Sequence, residues 1–213
     1  MSDASAVGAA APRPLGVFGG TFDPVHLGHL SVAWEAAELL DAEVRMVPAN
    51  VPPHRPAPMA SAAERVAMLR VALRGQDRLT LDTRELERSG PSYTVDSLAQ
   101  LRTHLGAEVG LVLVMAADSF SQIETWRDPD RLLELAEWAV GPRPGTAMPD
   151  PAALRERFGA KAARIHLLEG PSLDLSSSEI RSRVAARRPI RYLVPRAVEE
   201  LIDARGLYRR RRP

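Results

Sequence analysis

Cysteine is absent from the 213 residues, which excludes disulfides, thiolate-bound zinc, iron–sulfur clusters and a thiol nucleophile. Lysine is nearly absent too, since Lys161 is the only one. A Walker A loop needs a lysine after its glycines, and Gly159-Ala160-Lys161-Ala162 does not fit that pattern, so P-loop chemistry is excluded. No apolar run approaches the roughly 20 residues that span a bilayer. A charge excess is missing as well: 28 basic and 27 acidic residues leave a net charge of +1. A dedicated DNA or RNA binder normally carries a basic surplus.

What remains is ordinary for a folded protein. Hydrophobic residues make up 45% and charged residues 26%, so wholesale disorder is excluded and a core is affordable. The length suits one domain, placed at residues 15–208. Met1 to Pro14 is Ala-rich and lacks the basic start and apolar centre of a secretory signal. It is expected to be a disordered extension, as residues 209–213 are expected to be a basic tail. A cytoplasmic protein is the default, with no membrane or nucleic-acid partner, and a homo-oligomer is left open.

Strand and helix signals alternate along the chain. Leu15-Gly16-Val17-Phe18 reads as a buried strand, and a helix follows from about Gly28 to Leu40. Val44 to Val47 reads as a second strand, and the proline-rich stretch from Pro48 to Pro58 must be a loop. Ser61 with Glu64 forms a capping-box signature. Leu79 to Leu81 reads as a strand, Thr94 to about His104 as a helix, and the apolar run Val109 to Met115 as a central strand. Weaker signals place strands at Trp138 to Val140 and Ile165 to Leu168, a helix at Ser176 to Val184, and a last helix with Pro195 at its first position and Gly206 at its end. This alternation predicts an α/β, Rossmann-like doubly wound fold, with a mostly parallel sheet covered by helices on both faces. Ligands of such sheets bind at the carboxyl ends of the strands.

One stretch sits where an α/β protein binds phosphate, between the first strand and the first helix: Gly19-Gly20-Thr21-Phe22-Asp23-Pro24-Val25-His26-Leu27-Gly28-His29. The two glycines allow a ligand close to the main chain, Thr21 offers a hydroxyl and an N–H, and Asp23-Pro24 sets a turn. His26 and His29, separated by a leucine and a glycine, can donate N–H bonds to phosphate oxygens. Metal binding by the pair is disfavoured, because the usual helical spacing is four residues and no third ligand is apparent. The plain alternative is that the histidines cap and pack a turn. Far along the chain, Leu175-Ser176-Ser177-Ser178-Glu179-Ile180-Arg181 places hydroxyls and N–H groups at a helix start with an arginine one turn in. Taken alone, it reads equally well as a capped helix with a surface arginine.

In that order, the two stretches resemble the HxGH nucleotidylyltransferases, distant relatives of class I aminoacyl-tRNA synthetases. In the small adenylyltransferases the second motif reads Ser-Ser-Thr-x-Ile-Arg, and Ser178 keeps the hydroxyl. Further pieces narrow the resemblance: Asn50 to Pro56, with Pro52-Pro53-His54-Arg55; Gly90-Pro91-Ser92-Tyr93-Thr94-Val95-Asp96; Asp118-Ser119; and Thr125-Trp126. Together with the Gly206-Leu207-Tyr208-Arg209 ending, they look like the bacterial nicotinate-nucleotide adenylyltransferases, over nearly the whole chain.

That resemblance implies the reaction ATP + nicotinate mononucleotide (NaMN) → nicotinate adenine dinucleotide + pyrophosphate, a step of NAD synthesis. It also implies a site in two halves. His26, His29 and Arg181 would act on the phosphates, with Gly19, Gly20, Thr21 and Phe22 lining the ATP pocket. Asp118 would bind ribose, and Ser177 and Ser178 the β and γ phosphates. For NaMN, Trp126 would stack on the pyridine ring, main-chain N–H groups near Thr94, Val95 and Arg127 would meet the carboxylate, and Arg55 would sit near the phosphate. Mg²⁺ would be held mainly by phosphates and water, with no protein ligand. Two positions depart from the family: Ala116, commonly glycine there, brings a methyl group toward the nucleotide, and Ala49 stands where relatives carry a polar residue. The rival readings are another small-substrate transferase, such as phosphopantetheine adenylyltransferase or a cytidylyltransferase, an inactive nucleotide-binding regulator, and an RNA-binding module suggested by the arginine tail.

Overall fold

A computed structural model describes residues 13–53 and 56–209. Six parallel strands form one sheet: β1 (Leu15–Gly20), β2 (Glu43–Pro48), β3 (Leu79–Leu81), β4 (Leu111–Ala116), β5 (Glu137–Gly141) and β6 (Ile165–Leu167). Their spatial order is β3-β2-β1-β4-β5-β6. Strand order therefore reverses between β1 and β4, which opens a crevice at their carboxyl ends.

Side chains alternate across these strands, and the two faces build two cores. Phe18, Val112 and Val114 point to one face. There they meet α1 (Leu27–Leu39), α2 (Ala62–Ala72), α7 (Ser177–Ala185) and α8 (Arg196–Arg205). Val17, Leu111, Leu113 and Met115 point to the other face, toward α3 (Thr94–Leu105), α5 (Pro129–Leu135) and α6 (Pro151–Phe158). The short α4 (Ala117–Phe120) follows β4 directly. Burial on both faces explains why β4 is a nearly unbroken apolar run. Helix α1 lies close to the sheet because Ala33, Ala36 and Ala37 form its inner face, all fully buried.

Several boundaries move from the sequence pattern. The central strand begins at Leu111, two residues after Val109. Pro195 is the N-cap of α8 and not its first helical residue, while Gly206 closes that helix at φ 61°. Helices α5 and α6 are not announced by apolar periodicity. They are short, and each starts with a proline at its first position after an aspartate. The extension up to residue 12 and the tail from residue 210 lie outside the described residues.

Candidate active site

The chain leaves β1 through Gly20 and reaches α1 through His26, which is the N-cap. His29 therefore stands in the first turn of α1 and does not begin it. The two histidines cap one another: Nδ1 of His26 accepts from the His29 N–H, and Nδ1 of His29 accepts from the His26 N–H, each at 3.3 Å. Their rings stack with centroids 3.6 Å apart. A Cβ at position 28 would lie 3.1 Å from Nδ1 of His26, so glycine there leaves room for the ring. The capping and catalytic readings of these histidines are thus compatible. With Nδ1 occupied as an acceptor, a neutral imidazole carries its proton on Nε2 and presents that atom as a donor.

His26 is buried, and burial pushes its pKa down to about 4, with the positive charge of Arg143 adding to the shift. At neutral pH it is an uncharged donor. Phe22, expected in the pocket lining, instead has its ring 1% exposed. The ring packs edge-on against His29, centroids 5.0 Å apart, and beneath Gly20, where a Cβ would lie 2.7 Å from it. A main chain at φ 50° turns it inward, so its contribution is support from below. Gly19 faces open space, with nothing within 4 Å of a hypothetical Cβ.

Helix α7 docks on this loop from the far end of the sequence. Ser176 is its N-cap, accepting from the Glu179 N–H at 3.1 Å. Ser177 Oγ donates to the Pro24 carbonyl at 2.9 Å. Arg181 Nη1 donates to the Asp23 carbonyl at 2.7 Å, across 158 positions of sequence, and Nη2 donates to Ser178 Oγ at 3.1 Å. The proton of the Ser177 hydroxyl is thus already committed. Helix α7 offers instead the positive end of its dipole, the Ser178 hydroxyl and the guanidinium.

A cleft opens at the switch point between β1 and β4, lined among others by Phe18, His26, His29, Ala116, Arg143 and Leu173. The Ala116 methyl group is therefore part of its wall. Arg143, which no sequence motif singles out, follows β5 at the carboxyl edge of the sheet. Its Nη1 donates to the Leu175 carbonyl at 2.7 Å, and its Nε lies 3.9 Å from Asp118 Oδ2. Asp118 is in the first turn of α4, where its Oδ1 accepts from the Ser119 N–H at 2.9 Å. The only advance signal for Arg143 was its position just after a strand-ending glycine and proline.

The loops after β2 and β3 continue the same edge. Ala49 N–H donates to the Gly20 carbonyl at 2.9 Å, Asn50 N–H to Ser92 Oγ at 2.9 Å, and Ser92 N–H to the Val51 carbonyl at 2.9 Å. These bonds run from the histidine loop to the start of α3, where Thr94 and Val95 lie. Arg127 reaches the same helix end, with Nη1 3.4 Å from Asp96 Oδ2 and its guanidinium 4.7 Å from the Tyr93 ring centre. Trp126, expected to be exposed to a ligand, is half-buried and packs against the core of the α3 face. Arg55 and His54 lie outside the described residues.

Asp23, Arg65 and Tyr208 form a buried polar group beneath the loop. Burial lowers the pKa of the Arg65 guanidinium, which the Asp23 carboxylate opposes, and burial together with Asp23 pushes the Tyr208 hydroxyl well up.

A parallel sheet with this strand order and this paired-histidine loop defines a nucleotidyltransferase. Accordingly, residues 17–183 match the cytidylyltransferase-like family model. A probable nicotinate-nucleotide adenylyltransferase of Marinobacter nauticus is 42% identical over 205 residues, covering 90% of this chain and 95% of that protein. Another of that description, from Pseudomonas syringae pv. tomato, is 41% identical over 210 residues, covering 93% and 95%. Among solved structures, a Plasmodium falciparum nicotinic acid mononucleotide adenylyltransferase complexed with NaAD superposes with a TM-score of 0.76 at 18% identity, covering 92% of this chain and 98% of that one. The chain belongs to the nicotinate-nucleotide adenylyltransferase family.

Proposed function

We propose that the cleft joins ATP to NaMN, giving nicotinate adenine dinucleotide and pyrophosphate. A 5′-phosphate oxygen of NaMN forms a bond to the α-phosphorus of ATP, and the bond from that phosphorus to the bridging oxygen of pyrophosphate breaks with its electron pair leaving on pyrophosphate. The nucleophile is an anion near neutral pH, so no general base is required. The difficulty lies in bringing two anions together, and the site answers with fixed donors and positive charge.

His26 and His29 would donate from Nε2 to α-phosphate oxygens, where charge develops in the transition state. Arg181, Ser178 and the start of α7 would hold the β and γ phosphates that become the leaving group. Asp118 would take the ribose hydroxyls, with Arg143 as a second permanent charge beside the triphosphate. On the other side, Trp126 would cover the pyridine ring, the N–H groups at the start of α3 and Arg127 would meet the carboxylate, and Arg55 would serve the mononucleotide phosphate.

The donor set also suits Mg²⁺ carried by the phosphates. Imidazole and guanidinium donors do not ligate it, and Asp23 and Asp118 already accept bonds from the protein. Bound there, the ion would neutralise phosphate charge with a mostly aqueous shell. No helix among the described residues is long and apolar enough to cross a membrane, and we assign the enzyme to the cytoplasm.

The observation that carries this function is the bond from Arg181 to Asp23, which brings the two motifs to one place. A panel of NaMN, NMN and phosphopantetheine with ATP, read by pyrophosphate release, tests it. Turnover should be fastest with NaMN. Preference for phosphopantetheine, or no release with any acceptor, would refute the assignment.

A further inference from the structure

Asp23 is 2% exposed, yet the chemistry above makes no use of its carboxylate. The hydrogen-bond partners of that carboxylate are all donors. Oδ2 accepts the Met59 N–H at 2.7 Å, and Oδ1 accepts the Ala60 N–H at 3.1 Å and the Tyr208 hydroxyl at 2.8 Å. Arg181 Nη1 lies 3.8 Å from Oδ2 while it bonds the carbonyl of the same residue. Met59 and Ala60 immediately precede Ser61, the N-cap of α2. Helix α2 in turn sends Arg65 Nη1 back to the Thr21 carbonyl at 2.8 Å. One carboxylate therefore ties the histidine loop, the α2 end, the C-terminal Tyr208 and the α7 arginine to a common point.

Arginine has a long stem, and its forked head is useful to a phosphate only when its orientation is fixed. The carbonyl of Asp23 and the hydroxyl of Ser178 hold two of its nitrogens. The carboxylate, 3.8 Å from Nη1, adds a charge that opposes its swing toward solvent.

We propose that Asp23 is a positioning residue for adenylyl transfer, its carboxylate held by the Met59 and Ala60 N–H groups at the start of α2 and in turn holding the Arg181 guanidinium at the phosphate end of the cleft. This rests on the role given to Arg181 above. Asn at this position tests it with little change of shape. Its NH₂ group can turn toward Tyr208, whose hydroxyl can reverse and accept, while its oxygen stays toward Met59. The Ala60 N–H loses its partner, and the charge beside Arg181 disappears.

Four variants decide the matter: Asp23→Asn, Tyr208→Phe, Arg181→Ala and the Asp23→Asn/Arg181→Ala pair, each assayed for kcat per folded molecule and for Tm. Asp23→Asn should lower kcat about 10-fold, the scale of one bond to a charged group. Tyr208→Phe removes a donor to the same carboxylate, so it should lower Tm while kcat stays within about 2-fold. Adding Asp23→Asn to Arg181→Ala should produce no further loss of kcat, a coupling that general destabilisation would not create. Wild-type kcat in Asp23→Asn with only a lower Tm would overturn the proposal, as would fully additive losses in the pair. A wild-type kcat in Arg181→Ala would overturn both this proposal and the role of Arg181 in the reaction.

Discussion

The two halves of the cleft are built differently. On the side proposed for the triphosphate, Asp23 and His26 are each 2% exposed, and segments 158 positions apart are bonded directly. On the side proposed for the mononucleotide, the Arg127 and Asp96 side chains are 57% and 47% exposed, and their pair is 3.4 Å long. The first half is a rigid frame of buried donors and acceptors. The second is held by exposed side chains over a firm helix end. Transfer chemistry needs donors fixed before charge develops, whereas recognition of a flat ring tolerates adjustment. Substitutions on the first side should therefore act on kcat, and those on the second on KM.

The largest effect is expected at His29. If it serves as the proposed transition-state donor, changing it to Ala should lower kcat by about 100-fold or more. The reciprocal cap is lost as well, so stability should fall by about 1 kcal/mol in urea unfolding. An unchanged kcat with only the stability loss would reduce the histidine pair to a capping device.

Next comes pH. His26 is held neutral in the fold, its pKa pushed down to about 4 from the ordinary imidazole value of 6.5. The unfolded chain therefore binds a proton more readily between those values. The contribution is fully present above pH 6.5 and is lost as pH falls toward 4, by about 3 kcal/mol at about 1.4 kcal/mol per unit. Urea titrations of wild type and His26→Gln should show this slope in wild type alone.

Smaller changes separate the halves. Arg143→Gln should lower kcat about 10-fold, as for one lost charged bond, and should move the His26 pKa upward, followed by NMR of the imidazole. Trp126→Ala should raise KM for NaMN about 10-fold, the scale of losing a stacked ring, with KM for ATP little altered. Equal losses for both substrates would erase the distinction between the halves. Least of all, Asp96→Ala should change stability by less than about 1 kcal/mol, since its pair with Arg127 is exposed.

Legibility in the sequence follows the same division. The sheet was readable because each strand carries its own apolar run and each is followed by a helix signal. The histidine loop was readable because its chemistry lies within one short stretch. The inward turn of the Phe22 ring is not legible, because a motif position does not tell which way a side chain turns, and that is decided by φ 50° and the packing of Phe18 and His29. Trp126 is half-buried, because one part of its ring packs against the core of the α3 face, a contact with no signal in the polar residues around it. The sequence around Arg143 and Asp23 does not show what their side chains bond, because their partners are Leu175, Met59 and Tyr208, brought near only by the fold.

The most direct test is a crystal structure with a non-hydrolysable ATP analogue. Nε2 of His26 and His29 should lie within hydrogen-bond distance of the α-phosphate, with the Arg181 guanidinium on the β or γ phosphate of the same molecule. A triphosphate bound by the histidines but out of reach of Arg181, or the reverse, would contradict the account.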